Sequence, residues 1–380
     1  MIKIGFVGIG GCGGNIAEVA YYQNNQVAIV NTSIQDINAV SVINNKYLLG
    51  TDGGAGKDRR NAKNDMKTID KANGKPEIVN VAEFIVDKIG KDIDFTYLIF
   101  SSGGGTGSGS GPMLLDTLRR LYPERNFGCI VVLPTLKEDL TSQANTISCL
   151  KELITINVPT IIIDNDKMSS TKNKFNKKVF FNSINNQIIE NLNLFLSKTE
   201  SASKYGNMDR RDVLKILNTP GLTVMSTLNL LNKNETGLDI GKRLIESLKN
   251  SIYVDLEYDN IVKRYGIIYE LSDECYENLD TEQLTNEIGR PLEIFEGVYE
   301  PLNGEERISI IISGLSFPDG RLNKIYKILD DNKANFDKEK TYTSIDNDMS
   351  WFNTAQNKSS ITKEEAPISN DSLTDLLSKY

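Results

Sequence analysis

The segment from Ser101 to Gly109, SSGGGTGSG, has the residue types of a phosphate-binding loop. It follows the apolar stretch FTYLIF and precedes a helical pattern that carries Met113 and Leu118. Consecutive glycines can turn their backbone N–H groups toward an anion, and the positive end of the following helix dipole points to the same place. Thr106 and Ser108 add hydroxyl groups. Compared with a merely flexible turn, these features favour a phosphate site.

A second glycine loop, Gly8 to Asn15, contains G-x-G-x-x-G between an apolar stretch and a helical pattern. This is the context of a dinucleotide-binding site. Such a site also expects an acidic residue at the end of the next strand, to bind the ribose. Here that strand ends at Asn31, without a carboxylate. An NAD-dependent oxidoreductase is therefore an alternative with little support.

A third segment, Gly53-Gly54-Ala55-Gly56-Lys57-Asp58, resembles a Walker A loop only superficially. Walker A requires a glycine five residues before Gly56 and Ser or Thr after Lys57. The chain has Thr51 and Asp58 at those positions. The class of P-loop nucleotide hydrolases is therefore excluded.

Composition restricts the chemistry further. The 380 residues include no histidine, and the four cysteines form no C-x-x-C pair. Ser–His–Asp triads, His-containing metal sites and zinc thiolate sites are therefore excluded. Catalysis must depend on carboxylates, amides, hydroxyls, backbone N–H groups or a metal carried by the ligand. The net charge of −8 disfavours direct binding to nucleic acid, and the lack of a long apolar run predicts a cytoplasmic protein that does not enter a membrane.

Near-continuous apolar strands alternate with helical patterns in the first half of the chain, which predicts a doubly wound parallel sheet of the α/β class. The predicted strands of this half span residues 2–9, 26–31, 95–101, 128–133 and 158–163. A helix is predicted over residues 177–197, with an apolar stripe of Phe181, Ile184, Ile188, Leu192 and Phe195. Strands at 222–229, 264–271, 293–299 and 307–314, then a helix after Pro318, predict a smaller α+β unit.

These elements predict four parts of the chain. Residues 1–175 form a nucleotide-binding domain, 176–205 a central connecting helix, 206–334 a second α+β domain and 335–380 a polar tail. At 1.5 Å per residue the helix is about 30 Å long, enough to cross a domain.

The glycine loops together resemble those of the tubulin/FtsZ superfamily. Gly103 to Gly109, GGGTGSG, is identical to the signature loop of that superfamily, and the other loops follow in its order. The resemblance implies a tubulin/FtsZ-like fold that binds GTP or GDP with Mg²⁺. Glu138 then contacts the ribose and Asn165 the guanine, with Phe181 and Asn185 (or Asn186) near the base. The GTP-binding residues implied are Gly10, Gly11, Cys12, Asn15, Gly54, Ala55, Gly56, Lys57, Gly103, Gly104, Gly105, Thr106, Gly107, Ser108, Glu138, Asn165, Phe181 and Asn185.

The segment NMDRRDV, from Asn207 to Val213, resembles the N-x-D-x-x-D-V loop that reaches the nucleotide of the neighbouring subunit in this family. The resemblance implies catalytic roles for Asn207, Asp209 and Asp212 in a GTPase activated by head-to-tail polymerisation. The alternative is that the two aspartates are favourable charges at a helix N-terminus. The sequence identifies no protein ligand for Mg²⁺.

Within the superfamily, Lys57 and the short polar C-terminus resemble the TubZ subfamily, the partition tubulins of plasmids and phages. That resemblance implies a role in DNA segregation through a DNA-binding TubR-like adaptor that grips the tail, where Trp351 and Phe352 are adjacent. The alternative for this aromatic pair is that it packs back onto its own domain. The alternatives are an FtsZ-like division protein, a phage-spindle tubulin and a nucleotide-binding scaffold that does not hydrolyse.

Overall fold

The computed structural model describes most of the chain up to residue 332. The described residues are 2–50, 53–167, 177–198, 201, 203, 206–230, 237–256, 262–277, 279, 289–301 and 304–332. The predicted tail and the pair Trp351–Phe352 lie outside them.

Strands and helices alternate through residue 164. In chain order they are β1 Ile4–Ile9, α1 Gly10–Tyr22, β2 Gln26–Asn31, α2 Ile34–Ala39, β3 Lys46–Leu48, α3 Arg59–Lys67, α4 Glu77–Ile89, β4 Phe95–Ser101, α5 Thr106–Leu121, β5 Phe127–Leu133, α6 Leu140–Ile156 and β6 Pro159–Asp164. These strands pair in parallel in the order β3-β2-β1-β4-β5-β6. All six residues of β1 and all seven of β5 are buried, as expected for strands covered by helices on both faces.

The remaining elements are α7 Lys177–Ser197, α8 Arg210–Leu217, β7 Gly221–Asn229, α9 Gly237–Lys249, β8 Arg264–Glu270, α10 Asp273–Glu277, β9 Glu293–Tyr299, β10 Arg307–Leu315 and α11 Asp319–Asp331. β7 pairs in parallel with β6, so the strands form one ten-stranded sheet that ends β7-β10-β8-β9. β10 is antiparallel to both of its neighbours. The predicted fold class is confirmed. The domain boundaries stay a prediction, because the sheet is continuous across them.

The central helix α7 has the predicted bounds, but one residue of its predicted stripe is not covered. Ile184, Ile188, Leu192 and Phe195 are buried, whereas Phe181 is 41% exposed. The Asn193 amide donates to the Gln23 side chain (2.7 Å), so the end of α7 lies at the end of α1. No helix among the described residues is long and apolar enough to cross a membrane.

Candidate functional site

Two helix N-termini meet at the carboxyl ends of β1 and β4. α1 begins directly after Ile9 and α5 directly after Gly105; neither preceding residue caps its helix with a side chain, and neither first turn holds an acidic residue. A side-chain carbon on Gly10 would lie 3.3 Å from the Gly107 nitrogen, so the two glycine loops touch. The first N–H groups of a helix have no acceptor within it, and the dipole makes that end positive. The pair forms a cradle suited to an anion such as phosphate.

The close approach of α1 to the sheet depends on Gly13. A side-chain carbon there would lie 2.1 Å from the carbonyl oxygen of Ile99 in β4. Since no residue other than glycine fits, the G-x-G-x-x-G spacing here allows the start of α1 to lie beside the loop after β4.

The third loop, residues 54–58, covers one side of the cradle. Gly105 has no room for a side chain, because a carbon there would lie 2.8 Å from Ala55 Cβ and 3.0 Å from the Asp58 nitrogen. The Asn145 amide of α6 donates to the carbonyls of Lys57 (2.8 Å) and Gly103 (3.1 Å) and so joins the two loops. The ammonium of Lys57 pairs with Asp139, so in this structure Lys57 contributes its backbone to the cradle.

The predicted hydroxyl groups have different surroundings. The Thr106 hydroxyl lies 2.7 Å from that of Thr32 at the edge of the cradle. The Ser108 hydroxyl is buried and donates to the Gly104 carbonyl, so it shapes the loop. Gly11 and Asn15 are exposed on α1.

The loops after β5 and β6 form a second part of the site, beside Cys12. Burial, reinforced by the nearby Glu138 carboxylate, raises the pKa of the Cys12 thiol to about 12, so the thiol is neutral at pH 7. Glu138 also accepts from the Thr135 N–H (3.0 Å), and Asp166 accepts from the Leu136 N–H (3.0 Å). These bonds hold the loop of Glu138 against the loop of Asn165, which is 9% exposed. The predicted ribose and guanine residues therefore lie on adjacent loops.

Phe181 and Asn185 lie near the beginning of α7. They precede Asn193, which contacts Gln23 at the C-terminal end of α1, by 12 and 8 residues. At 1.5 Å per residue they lie about 18 and 12 Å along α7 from Asn193. Phe181 is exposed and Asn185 is half-buried, and their contact with a base stays a prediction.

Arg321 of α11 is a residue that the motifs did not identify. Its guanidinium is buried and pairs with Asp164 at the end of β6 (Nε to Oδ2, 2.8 Å), and it donates to the Pro134 carbonyl (2.7 Å). It therefore fixes the ends of β5 and β6 from which the Glu138 and Asn165 loops begin. The available signal in the sequence is an arginine four residues before Ile325, on the apolar side of a helix.

Asn207, Asp209 and Asp212 lie at the opposite end of the sheet. Asp209 caps α8 by accepting from the N–H groups of Arg211 (2.7 Å) and Asp212 (3.0 Å), and Asp212 accepts from the Asp209 N–H (3.1 Å). This is a reciprocal capping box. Arg210 forms an ion pair with Asp94, directly before β4, whereas the GGGTGSG loop follows the last residue of that strand.

Asn31 ends β2 with its side-chain oxygen accepting from the Thr32 N–H (2.8 Å). It supplies an amide where a dinucleotide site expects a carboxylate. No group of three or more Asp, Glu or Cys side chains within the described ranges is arranged to hold a metal.

Comparison with known proteins agrees with this geometry. Residues 3–173 match the family described as "Tubulin/FtsZ family, GTPase domain". This part of the chain, slightly less than half of its length, is thus similar to the GTPase domain of the tubulin/FtsZ family.

Among its relatives are the tubulin-like protein TubZ of Clostridium botulinum C phage and the tubulin-like protein CetZ of Pyrococcus abyssi. The first is 26% identical over 260 residues, which are 67% of this chain and 65% of that protein. The second is 25% identical over 267 residues, 69% of this chain and 70% of that protein. The alignment thus spans slightly less than two thirds of the phage relative.

A GTPγS-form protofilament of Bacillus thuringiensis TubZ shares the fold, with a TM-score of 0.73 over 89% of this chain and 94% of that one at 16% identity.

Proposed function

We propose that this chain binds GTP with Mg²⁺, assembles head to tail into filaments and hydrolyses the nucleotide where one subunit meets the next. The observation that carries the proposal is the separation of two groups along one strand. The glycine cradle follows Ser101, the last residue of β4, and Arg210, between the candidate catalytic aspartates, pairs with Asp94 at the other end. A strand of seven residues spans about 23 Å.

This separation supports a site shared between subunits. The aspartates cannot reach a nucleotide in the cradle of their own chain. They can reach the nucleotide of a second copy if their end of the sheet docks on that copy's cradle. Such a contact joins two different faces, and repeated contacts of this kind give open filaments when the rotation does not close a ring. Hydrolysis would then require assembly.

On the nucleotide side, the backbone N–H groups of residues 103–107 and the start of α1 would hold the phosphates. Mg²⁺ prefers oxygen ligands, and the adjacent hydroxyls of Thr32 and Thr106 fit that preference. When bound, the ion would neutralise charge on the phosphates. On the facing subunit, Asp209 and Asp212 would orient the attacking water and accept its proton. Acting as helix caps does not prevent this role, because Asp209 remains exposed.

Sedimentation over a concentration series, with Mg²⁺ and GTP, GDP or ATP, tests the proposal while released phosphate is counted. Of the three nucleotides, only GTP should give a pellet, and only above a roughly micromolar protein concentration. Such a threshold corresponds to a subunit contact worth about 8 kcal/mol. Phosphate release should rise only above that threshold. Phosphate release proportional to protein concentration, without a pellet, would mean that a single subunit hydrolyses GTP by itself. If the chain did not bind GTP at all, the first glycine loop would have to be considered again as a dinucleotide site.

We propose DNA partition in the cytoplasm as the biological role, which the similarity to phage TubZ supports. The tail, residues 335–380, would contact a TubR-like DNA-binding adaptor, and the net charge of −8 favours such indirect attachment to DNA.

Deleting residues 350–380 should abolish co-sedimentation with the adaptor and leave GTP turnover unchanged, since the glycine loops and residues 207–212 remain. Replacing only Trp351 and Phe352 by alanine leaves the rest of the tail in place, so it tests the contribution of the aromatic pair separately from that of the whole tail. Undiminished adaptor binding after the deletion would reject the tail as the docking segment.

A further inference from the structure

The loop from Gly206 to Asp212, which we call the aspartate loop, is held in place by the end of β9. The Val298 N–H donates to the Gly206 carbonyl (3.0 Å), and the Tyr299 hydroxyl accepts from the Met208 N–H (3.2 Å). These two bonds lie on either side of Asn207. Because Met208 is also buried, the chain is fixed at the residue directly before Asp209.

The ring of Tyr299 has little freedom of its own. It lies against Gly297, where a side-chain carbon would approach ring atoms Cε2 and Cζ of Tyr299 to 2.6 and 2.9 Å. From the other direction, the ammonium of Lys198 lies 5.9 Å from the ring centroid, within the range of a cation–π contact.

Lys198 is in turn held by buried charge. It follows directly after α7, and its ammonium pairs with Glu270, a completely buried carboxylate that Arg307 also binds. Burial alone would raise the pKa of Glu270, but the hydrogen bonds from Arg307 and Lys198 lower it below its usual value, so the carboxylate is charged. A buried carboxylate with two cationic partners fixes the ammonium of Lys198 in one place.

We propose that Tyr299 is a positioning residue for hydrolysis: its hydroxyl fixes the Met208 amide and so sets where Asp209 and Asp212 face the neighbouring subunit. Through Lys198, the ring also connects the end of the central helix to the aspartate loop. This inference rests on the proposed split-site GTPase. In that proposal Tyr299 contacts neither the nucleotide of its own subunit nor that of the neighbouring subunit.

Tyr299→Phe tests the role by removing only the hydroxyl. We expect the maximal phosphate release per polymerised subunit to fall about fivefold, the factor that corresponds to about 1 kcal/mol. The GTP concentration that gives half the maximal rate should not change, because the nucleotide loops are at the other end of the sheet. Tyr265→Phe is the matched control: it removes a buried hydroxyl that donates to the Gly289 carbonyl (2.5 Å), away from the aspartate loop, and should leave turnover unchanged.

Gly297→Ala tests the same contact by displacing the ring, and it should slow turnover to a similar degree. Adding Gly297→Ala to Tyr299→Phe should then cause little further loss, since the hydrogen bond is already absent. Wild-type turnover per polymerised subunit in Tyr299→Phe would overturn the inference, as would an equal loss in Tyr265→Phe. If Asp209→Ala also turns over normally, the split-site proposal itself fails; if only Tyr299→Phe does, only the positioning role fails.

Discussion

Replacing Asp209 with alanine should leave GTP binding unchanged and slow phosphate release at least about 100-fold, the usual loss for a positioned acid or base. The variant should still form GTP-dependent pellets, and its filaments should persist after wild-type filaments have disassembled. The reason is geometric. Asp209 is exposed at the end of the sheet away from the cradle, so it contributes nothing to the nucleotide site of its own subunit. The measurement is released phosphate per pelleted subunit, beside equilibrium binding of GTP to the unassembled chain.

Asp209 also caps α8, so alanine removes two functions at once. Losing the cap costs about 1 kcal/mol of stability. Asp209→Asn separates the two, because asparagine caps a helix about as well as aspartate but carries no charge. We expect Asp209→Asn to melt at the wild-type temperature and to hydrolyse GTP as slowly as the alanine variant. Wild-type turnover by the asparagine variant would mean that Asp209 acts only as a cap.

Much of the fold was predictable because strands covered on both faces leave a strong local pattern. The bounds of β2, β4, β9 and the central helix match the predicted ranges. Phe181 belongs to the predicted apolar stripe but is exposed, because helical periodicity identifies a face but not how far a neighbouring element extends along it. β3 was missed, since three half-buried residues give no detectable alternation.

The glycine cradle was also accessible from the sequence, because its residues are contiguous and the helices that follow them are positioned by the chain itself. Arg321 and Asn145 were not. Arg321 binds Asp164 across 157 positions, and Asn145 binds Lys57 across 88. Because the partners are so far apart in the sequence, neither contact produces a recognisable motif. The capping box of Asp209 and Asp212 shows a different limit, since the same residue spacing is expected for a helix cap and for the proposed catalytic loop.

Gly104→Val should weaken GTP binding at least about 100-fold, or about 2.7 kcal/mol, while leaving the nucleotide-free chain as stable as the wild type. A side-chain carbon at Gly104 meets no other atom within 4 Å, so valine has room in the empty chain. The Gly104 carbonyl is held by the Ser108 hydroxyl, and a bulky side chain would occupy the open side of the cradle. Titration with a fluorescent GTP analogue measures the affinity, and thermal unfolding without nucleotide measures the stability.

Gly105→Val is the matched control, because its side chain would collide with Ala55 and the backbone of Lys57. We expect it to lose both GTP binding and stability, since the third loop must move away. Comparing the two variants thus distinguishes a loss of binding caused by a blocked phosphate site from one caused by a disturbed fold. If Gly104→Val bound GTP with wild-type affinity, the space beside Gly104 would not be the phosphate site. The phosphates would then have to lie elsewhere along the two helix N-termini.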